Sequence, residues 1–453
     1  MSTTADLLAP RAQAGAGPEP RRGLPRLLAV AGEHGNATPL ARHRLAFPTP
    51  PLPGRAGDDL IAAVERSGLR GRGGASFPTG RKLRAVRDAR RRPIVVVNGA
   101  EGEPTSGKDK LLLTTAPHLV LDGALLAAAA VGARQVVVCV DQAATAALGA
   151  VQRALAERQR AEAALPVRLA AIPSRYVAGE ETALVHWLNG GPATPTLTPP
   201  RPFQRGVDGL PTLVDNVETL AHLAQIMRFG PDWFRQLGTP DEPGSALVTV
   251  SGAVARPGVY ELPVGTALAD ALRIAGGPLA GIAGVLVGGY FGSWLGAEQA
   301  SRAHLSNQSL RTLGAGLGCG AVTLLPEGAC GLNETARVLA WLAGETAGQC
   351  GPCVHGLAAI AATVTHLSRG PTGTRGPTGT QALGQLRRWA GQIEGRGACR
   401  LPDGAVRLLR TSLEVFADDV QRHLSGGGCP GATGPALLPI PASNPTSGGL
   451  PWR

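Results

Sequence analysis

Hydrophobic residues between positions 56 and 235 follow two patterns that alternate along the chain. Short continuous apolar runs, typical of buried strands, alternate with longer segments whose apolar residues recur at helical spacing. Strands are predicted at 93–98, 135–141 and 167–172, and helices at 59–67, 117–132 and 145–163. Strand–helix–strand order of this kind predicts an α/β domain with a parallel sheet over residues 56–235.

The pattern changes after position 245, where two short apolar runs flank a turn at Arg256-Pro257-Gly258. A hairpin of two strands and a following helix are expected, within a small α+β module over 245–325. The predicted bounds are 246–252 and 259–263 for the strands and 267–275 for the helix.

Residues 333–425 carry helical periodicity and predict a helical bundle, with Asn333 as the N-cap of its first helix. Its helices are predicted at 334–342, 354–367, 381–393 and 404–424. The remaining segments are rich in Pro, Gly, Ala and Ser. They predict a flexible leader over 1–55, a flexible tail over 435–453, and an exposed loop at the tandem repeat 369–380.

The formal net charge of +11 is compatible with an anionic partner. The arginines are nevertheless scattered and have no interleaved aromatic residues, so we predict no nucleic-acid partner. The sequence has no signal-like apolar segment near its start and no run of eighteen apolar residues, which predicts a cytoplasmic location. In that compartment the seven cysteines are better candidates for free thiols or metal ligands than for disulfides.

A glycine-rich run at 68–82 is the most informative motif. Gly71, Gly73 and Gly74 allow the backbone amides to approach a ligand closely. Lys82, one of only three lysines in the chain, adds a positive charge, and Phe77 adds a flat apolar face. The run therefore predicts a site for a phosphorylated aromatic cofactor.

Three further motifs carry polar side chains, and each allows a second interpretation. The run 97–109 follows a predicted strand, where α/β sheets place ligand loops, and either offers Asn98, Glu101 and Glu103 to a ligand or is an ordinary acidic loop. The acids in the run 179–184 either face a ligand or only cap a helix. The run 214–219 either binds a phosphate or ribityl chain or caps the helix that follows.

The last motif is Cys350-Gly351-Pro352-Cys353, with Cys399 downstream. Thiolates at this spacing can face one metal or one iron–sulfur cluster, and a third thiolate from a distant helix can join them. A C-x-x-C pair also fits zinc or redox disulfide chemistry.

These five motifs, in this order, resemble the flavin-bearing, NADH-oxidising subunit of respiratory complex I and its relatives in soluble hydrogenases and formate dehydrogenases. The segment 248–260 resembles that family's soluble-ligand-binding β-grasp domain. The resemblance implies FMN in the first domain, NADH or NADPH as substrate, and electrons that leave singly through a [4Fe–4S] cluster to a ferredoxin-like or membrane partner. Its implied FMN-binding residues are Gly71, Gly73, Gly74, Phe77, Lys82, Asn98, Glu101, Gly179, Glu180, Glu181, Asn216 and Thr219. Glu103 and Glu181 are the implied catalytic residues, and Cys350, Cys353 and Cys399 the implied cluster ligands.

Several positions depart from the family pattern. The first cluster cysteine is Ala347, and His355 and Cys319 are the sequence candidates for a replacement ligand. The positions that carry other residues on the nicotinamide side or beside the flavin are Ala85, Thr198, Arg201, Ala100 and Asp215. Two alternatives therefore remain open beside the dehydrogenase role. One is a flavin module that receives electrons from another donor, and the other is a scaffold protein that has lost its cofactors.

Overall fold

The strands of the first sheet include two valine-rich runs at its centre, because successive side chains of a strand point to opposite faces and both faces are covered there. A computed structural model describes residues 23–30, 36–47, 56–89, 91–161, 165–369, 379–425 and 429–441. The strands of the first sheet are all parallel. They are β1 (Ile94–Gly99), β2 (Gln135–Asp141), β3 (Val167–Ile172) and β4 (Thr212–Asn216), in the order β3-β2-β1-β4. Val95 and Val97 enter one apolar cluster, and Ile94 and Val96 enter another on the opposite face.

Helices cover this sheet and meet at close approaches. They are α1 (Leu40–Ala46), α2 (Ala56–Ser67), α3 (Thr79–Arg87), α4 (Lys108–Thr115), α5 (Pro117–Val131), α6 (Thr145–Ala161), α7 (Glu181–Leu188), α8 (Val217–Phe229) and α9 (Pro231–Arg235). A β-carbon on Gly123 of α5 would lie 1.9 Å from the Leu220 carbonyl oxygen of α8, so glycine is required where these two helices touch. The predicted strands and helices of this domain are confirmed to within a few residues.

The second domain has a mixed five-stranded sheet. Its strands are β5 (Ser245–Gly252), β6 (Gly258–Pro263), β7 (Ile282–Val287), β8 (Ser293–Leu295) and β9 (Ala321–Pro326), in the order β6-β5-β9-β7-β8. Its helices are α10 (Leu268–Ile274), α11 (Ala297–Arg302) and α12 (Asn307–Thr312). The hairpin β5–β6 and helix α10 are confirmed, whereas the sequence patterns did not predict β7, β8 or β9.

The third domain is helical, as predicted. It comprises α13 (Gly331–Gly344), a π-helical turn at Pro352–Leu357, α14 (Ala358–Arg369), α15 (Gly379–Ile393), α16 (Leu401–Val415) and α17 (Ala417–Leu424). The predicted N-cap Asn333 is wrong: Cys330 is the N-cap, and its sulfur accepts a hydrogen bond from the Asn333 N–H at 3.3 Å. The predicted helix 404–424 is broken at Phe416, which leaves helical geometry and packs its ring on Trp294.

Parts of the predicted flexible ends pack against the domains. The backbone N–H groups of Arg26 and Leu27 both donate to Glu261 at 2.8 Å, and Leu27 is fully buried. At the other end Leu438 is buried, and its N–H donates to Glu334 at 2.9 Å. The leader also contains α1 (Leu40–Ala46), so it is not flexible throughout. Positions 1–22, 31–35, 48–55 and 442–453, and positions 370–378 of the predicted loop, lie outside the described residues.

In the described part of the chain, no single helix has both the length and the apolar composition needed to cross a membrane. Helices α4 and α5 meet the two criteria when they are taken together, but they are bent by 97° where they join.

Candidate functional site

The glycine-rich run connects α2 to α3 as a tight backbone turn. The Gly71 N–H donates to the Phe77 carbonyl at 2.8 Å, and the Thr79 N–H donates to the Leu69 carbonyl at 3.0 Å. Within the turn Gly74 takes a φ of +104°, which favours glycine. The turn presents the Phe77 ring to the outside, with 53% of the residue exposed.

A β-carbon on Gly73 would lie 3.3 Å from the Asn216 β-carbon, so the turn lies directly against the end of β4. In register, Asn216 lies opposite Asn98 of β1. The glycine-rich run is therefore placed at the carboxyl edge of the parallel sheet, where α/β sheets bind ligands.

Lys82, Glu181 and Asp215 meet beside this turn. The Lys82 ammonium donates to the Val214 carbonyl and lies 3.7 Å from the Glu181 carboxylate. Burial raises the pKa of Asp215 to about 6, although the Lys82 charge acts in the opposite direction. Among the described residues, Oδ2 of Asp215 is buried and has no hydrogen-bond partner. This carboxylate oxygen is available to a donor on a bound ligand.

Asn98 and Gly179 are held together behind the turn. The Asn98 amide donates to the Gly179 carbonyl at 2.8 Å, and its oxygen accepts from the Ala100 N–H at 3.1 Å. A β-carbon on Gly179 would lie 2.8 Å from that of Ala100, so this backbone approach requires glycine. Glu180 is the N-cap of α7 and accepts the N–H groups of Thr182 and Ala183, both at 3.0 Å. Glu180 therefore caps α7, which is the second of the two interpretations of this motif.

Glu101 and Glu103 are buried and accept hydrogen bonds from the protein itself. Glu101 accepts the Asp109 N–H at 3.1 Å and the Lys110 N–H at 3.0 Å, so it caps the start of α4. Glu103 accepts the Tyr176 hydroxyl at 2.9 Å and the Tyr290 N–H at 2.8 Å. Burial raises the pKa of Glu103. Because Tyr290 belongs to the second domain, Glu103 joins two domains. Its role as a reacting group stays a prediction.

Asn216 belongs to a buried charge network below the turn. The Lys108 ammonium, only 2% exposed as a residue, lies 2.6 Å from Asp109 and 2.9 Å from Glu218. Burial alone would lower the pKa of Lys108, but these two carboxylates raise it. Asn216 donates to Asp109 at 2.7 Å and caps α8 by accepting the Glu218 N–H at 2.9 Å.

Thr219 links this network to the glycine-rich run, because its hydroxyl accepts the Arg72 N–H at 2.9 Å. Asn216 and Thr219 therefore fix the position of the turn from below. The sequence motif alone left open whether these residues bind a ligand or cap the helix.

The three predicted cluster cysteines come together at one end of the helical domain. Cys353 lies in the π-helical turn, and Cys399 precedes α16. Burial raises the pKa of the Cys353 thiol to about 12, and the neighbouring Cys350 and Cys399 sulfurs act in the same direction. Ala347 packs in the same apolar cluster as these cysteines.

Neither sequence candidate for a fourth cluster ligand is placed well. His355 is exposed on the π-helical turn. Cys319 is directed elsewhere, with its sulfur 3.6 Å from the Gly288 carbonyl and within the electrostatic influence of Glu103.

A cavity of about 640 Å³ opens beside α3, and sequence reasoning did not predict it. Ala85, three residues after Lys82 on α3, lies in its wall, and residues three apart share a helix face. The lining also includes Phe203, Arg91 and Arg205, together with the acidic Asp88. Phe203 offers an aromatic face, and the two arginines offer positive charge.

The residues present fit the two implied cofactors. A turn of glycine amides, the Lys82 charge, the exposed Phe77 ring and the unpartnered oxygen of Asp215 suit the phosphate, ring and hydroxyl groups of FMN. Three neighbouring thiols suit an iron–sulfur cluster in which one iron lacks a cysteine ligand.

Family models of known proteins match three separate regions of the chain. Family models match residues 64–225 (Nuo51 FMN-binding domain), 247–284 (SLBB domain) and 333–423 (NADH-ubiquinone oxidoreductase-F iron-sulfur binding region). An F-type NADH-quinone oxidoreductase subunit of Rhizobium meliloti is 33% identical, over 82% of this chain and 90% of that protein. Its counterpart in Streptomyces coelicolor is also 33% identical, over 83% of this chain and 85% of that protein.

Solved structures of an NAD+-reducing [NiFe]-hydrogenase are similar as well. The H2-reduced form has a TM-score of 0.73 and 33% identity, over 81% of this chain and 62% of the hydrogenase chain. The air-oxidised form has a TM-score of 0.75 and 32% identity, over 86% and 67%. This chain therefore spans about three fifths of the length of the first of these structures. The predicted fold class is confirmed, and the chain belongs to the family of F-type NADH-quinone oxidoreductase subunits.

Proposed function

We propose that this protein oxidises NADH or NADPH at an FMN held by the first domain, and that electrons leave singly through an iron–sulfur centre to a ferredoxin-like or membrane-bound partner. Bound FMN supplies the ability to accept two electrons as a hydride and to release them one at a time. The observation that carries the proposal is the convergence of the glycine-rich turn, Lys82, Glu181 and Asp215 at one sheet edge.

The flavin side is already organised by the protein. Lys82 is oriented by the Val214 carbonyl and by Glu181, and it brings positive charge to the site. Asp215 offers a buried acceptor, and Phe77 covers one side with an apolar ring. Such preorganised polar groups bind a cofactor with little reorganisation and exclude water from it.

The cavity beside α3 is the proposed binding site of the nucleotide substrate. Its volume of about 640 Å³ is in the range of small-molecule sites. Phe203 can stack on an adenine ring, and Arg91 and Arg205 can pair with phosphate groups. A 2′-phosphate would add further negative charge near these arginines, so NADPH is included beside NADH.

Contacts between the first and third domains support electron transfer from the flavin to the cysteine group. The segment that precedes Glu180 reaches α13, because the Tyr176 N–H donates to Glu345 at 2.8 Å and Arg175 lies 3.4 Å from Glu345. Cys399 is close enough to Glu180 for that carboxylate to raise the pKa of its thiol, after burial, the main cause. These contacts support a position for the cysteine group next to the proposed flavin site.

Anaerobic titration of the purified protein with NADH, and separately with NADPH, tests the proposal. Loss of the oxidised-flavin absorbance near one equivalent of either nucleotide is the expected result. A flavin that stays oxidised with both nucleotides, yet is reduced by dithionite, would contradict it.

That second outcome would favour the flavin module fed by another donor. The observation behind this second candidate is the exposed segment of Thr198 and Arg201, together with Ala85, where the family carries a lysine and two aromatic residues. Each missing stacking partner is worth roughly 0.5–1.5 kcal/mol. If the purified protein contains no flavin, even after reconstitution, only the scaffold hypothesis would remain.

Ala347→Cys sharpens the assignment of the iron–sulfur centre. The iron that lacks a cysteine ligand should be the least firmly held, so a fourth thiolate at position 347 should raise the iron content toward about four per chain. It should also lower the reduction potential of the centre, because it adds negative charge. Ala347→Ser is the matched control and should leave the iron content unchanged. Equal iron content in both variants would argue against the cluster position.

A further inference from the structure

A second group of metal-ligating side chains lies away from the predicted cluster cysteines. The sulfurs of Cys330 and Cys429 and a ring nitrogen of His423 all lie within 4.8 Å of one another. The Cys330 sulfur and Nε2 of His423 are 3.3 Å apart. Within the described part of the chain, no other group of three His, Cys, Asp or Glu ligand atoms is this close.

The two deeper ligands are fixed by the helices that carry them. Cys330 is 2% exposed and begins α13 as its N-cap. His423 is 5% exposed and lies on α17. Asp419, one turn earlier on α17, accepts the Gly331 N–H at 2.9 Å. This hydrogen bond holds the His423 helix against the first turn of α13.

The third ligand reaches the site through a close backbone approach. Cys429 precedes the short helical turn Pro430–Thr433. A β-carbon on Gly431 would lie 2.5 Å from the Cys330 nitrogen, so only glycine permits this packing. The Asn333 side chain also donates to the Ala432 carbonyl at 3.2 Å. The Cys429 segment is therefore seated on the start of α13 before any metal is considered.

We propose that Cys330, His423 and Cys429 form a zinc site. Two sulfurs and an imidazole nitrogen are the donor set that zinc prefers, and hard cations such as Mg²⁺ and Ca²⁺ prefer oxygen. Zinc binding displaces the two thiol protons to solvent, and the two thiolates balance the charge of the ion. Because Cys429 is partly exposed, water can complete the tetrahedral coordination.

The zinc would fasten the C-terminal segment to the domain interface. Beyond Cys429, the N–H groups of Leu437 and Leu438 donate to Glu334 at 3.2 and 2.9 Å. The Tyr290 hydroxyl then donates to the Pro439 carbonyl at 2.6 Å. Tyr290 is also the residue whose N–H binds Glu103 of the flavin domain. The ion therefore anchors a segment that ends at the contact between the domains.

Metal analysis of the full-length protein tests the proposal, with zinc and iron measured together after anaerobic purification under a thiol reductant. Wild type should contain about one zinc per chain, as expected for a single site with these three protein ligands. Cys429→Ser and His423→Asn should lose most of this zinc and keep their iron. Cys399→Ser should lose iron and keep zinc. Cys319→Ser, which removes a half-buried thiol outside both groups, should keep both metals.

Co²⁺ added to metal-free wild type gives a readout that needs no variant. The absorption bands of tetrahedral, thiolate-bound Co²⁺ should appear, and Zn²⁺ should remove them. A zinc chelator should also make the chain cleavable by protease near residues 429–441 in wild type, since the buried Leu438 would be released.

Three results would overturn the proposal. The first is a zinc content in Cys429→Ser equal to that of wild type. The second is the absence of the Co²⁺ bands in wild type. The third is a disulfide between Cys330 and Cys429 in protein kept under reductant, detected by mass spectrometry, because oxidised sulfurs cannot bind the ion.

Discussion

The proposed flavin-binding edge of the first domain and the cavity beside α3 share one helix but hold their side chains differently. At the flavin-binding edge, Lys82, Asn98 and Asn216 are fixed by hydrogen bonds to backbone or buried groups. In the cavity, Arg205 is exposed and Phe203 is half-buried. The difference matches two kinds of ligand: a cofactor that stays bound needs a preorganised site, and a substrate that must leave after each turnover needs an open one.

The largest expected effect comes from Lys82→Ala. Loss of a charge-assisted contact of roughly 1.5–3 kcal/mol should weaken flavin binding by about 10–100-fold. Flavin stoichiometry after gel filtration, and the dissociation constant from fluorescence, measure it. Arg81→Ala, the exposed neighbour on the same helix, is the matched control and should retain flavin. Equal retention by the two variants would remove Lys82 from the binding site.

Asp215→Asn should have a smaller effect that depends on pH. Burial raises the pKa of Asp215 to about 6 from an ordinary value of 3.8, so the folded protein holds this proton more tightly than the unfolded chain does. The carboxylate therefore lowers stability as pH rises from about 4 to about 6, and the cost is fully present above that range. In flavin-free protein the variant should raise Tm by several degrees at pH 8 and by nothing at pH 4.

The same measurement with bound flavin tests whether Asp215 pairs with the cofactor. If a flavin donor pairs with Asp215, saturating FMN should abolish the advantage of Asp215→Asn at pH 8. An advantage that is the same at pH 4 and pH 8 would show that the charge of Asp215 is not its source.

Phe203→Ala should have the smallest effect, and this effect should be confined to the binding of the nicotinamide nucleotide. Loss of one aromatic stacking partner, roughly 0.5–1.5 kcal/mol, should raise KM for the nicotinamide nucleotide by about 2–10-fold. Flavin content and kcat should stay unchanged, because the ring lies in the cavity wall rather than at the flavin edge. A change in flavin content without a change in KM would reverse the assignment of the two regions.

The sequence predicted most of the fold because its signals are local. The predicted bounds of β2 and β3 are those observed. For β2 the reason is a valine run between turn residues, which defines a buried strand. The short strand β8 was missed because three residues carry no usable period. Cys330 was missed as an N-cap because cysteine rarely fills that role, and Asn333 carries the stronger cap signal.

The candidate site was predictable only in part, because many of its contacts join distant segments. The glycine-rich run and Lys82 form a local motif that the sequence displays directly. The donors to Glu103 could not be predicted, since Tyr290 lies 187 residues away and contributes a backbone N–H. Cys330 and His423 are separated by 93 residues, and no spacing rule connects them.

The central claim is that two electrons enter at the flavin and leave singly through the cysteine group. Electron paramagnetic resonance of anaerobic protein, frozen after addition of NADH or NADPH, tests it most directly. Wild type should show the signal of a reduced iron–sulfur centre, and Lys82→Ala should lack it until FMN is supplied in excess. A wild-type iron–sulfur centre that is reduced by dithionite but by neither nucleotide would contradict the claim.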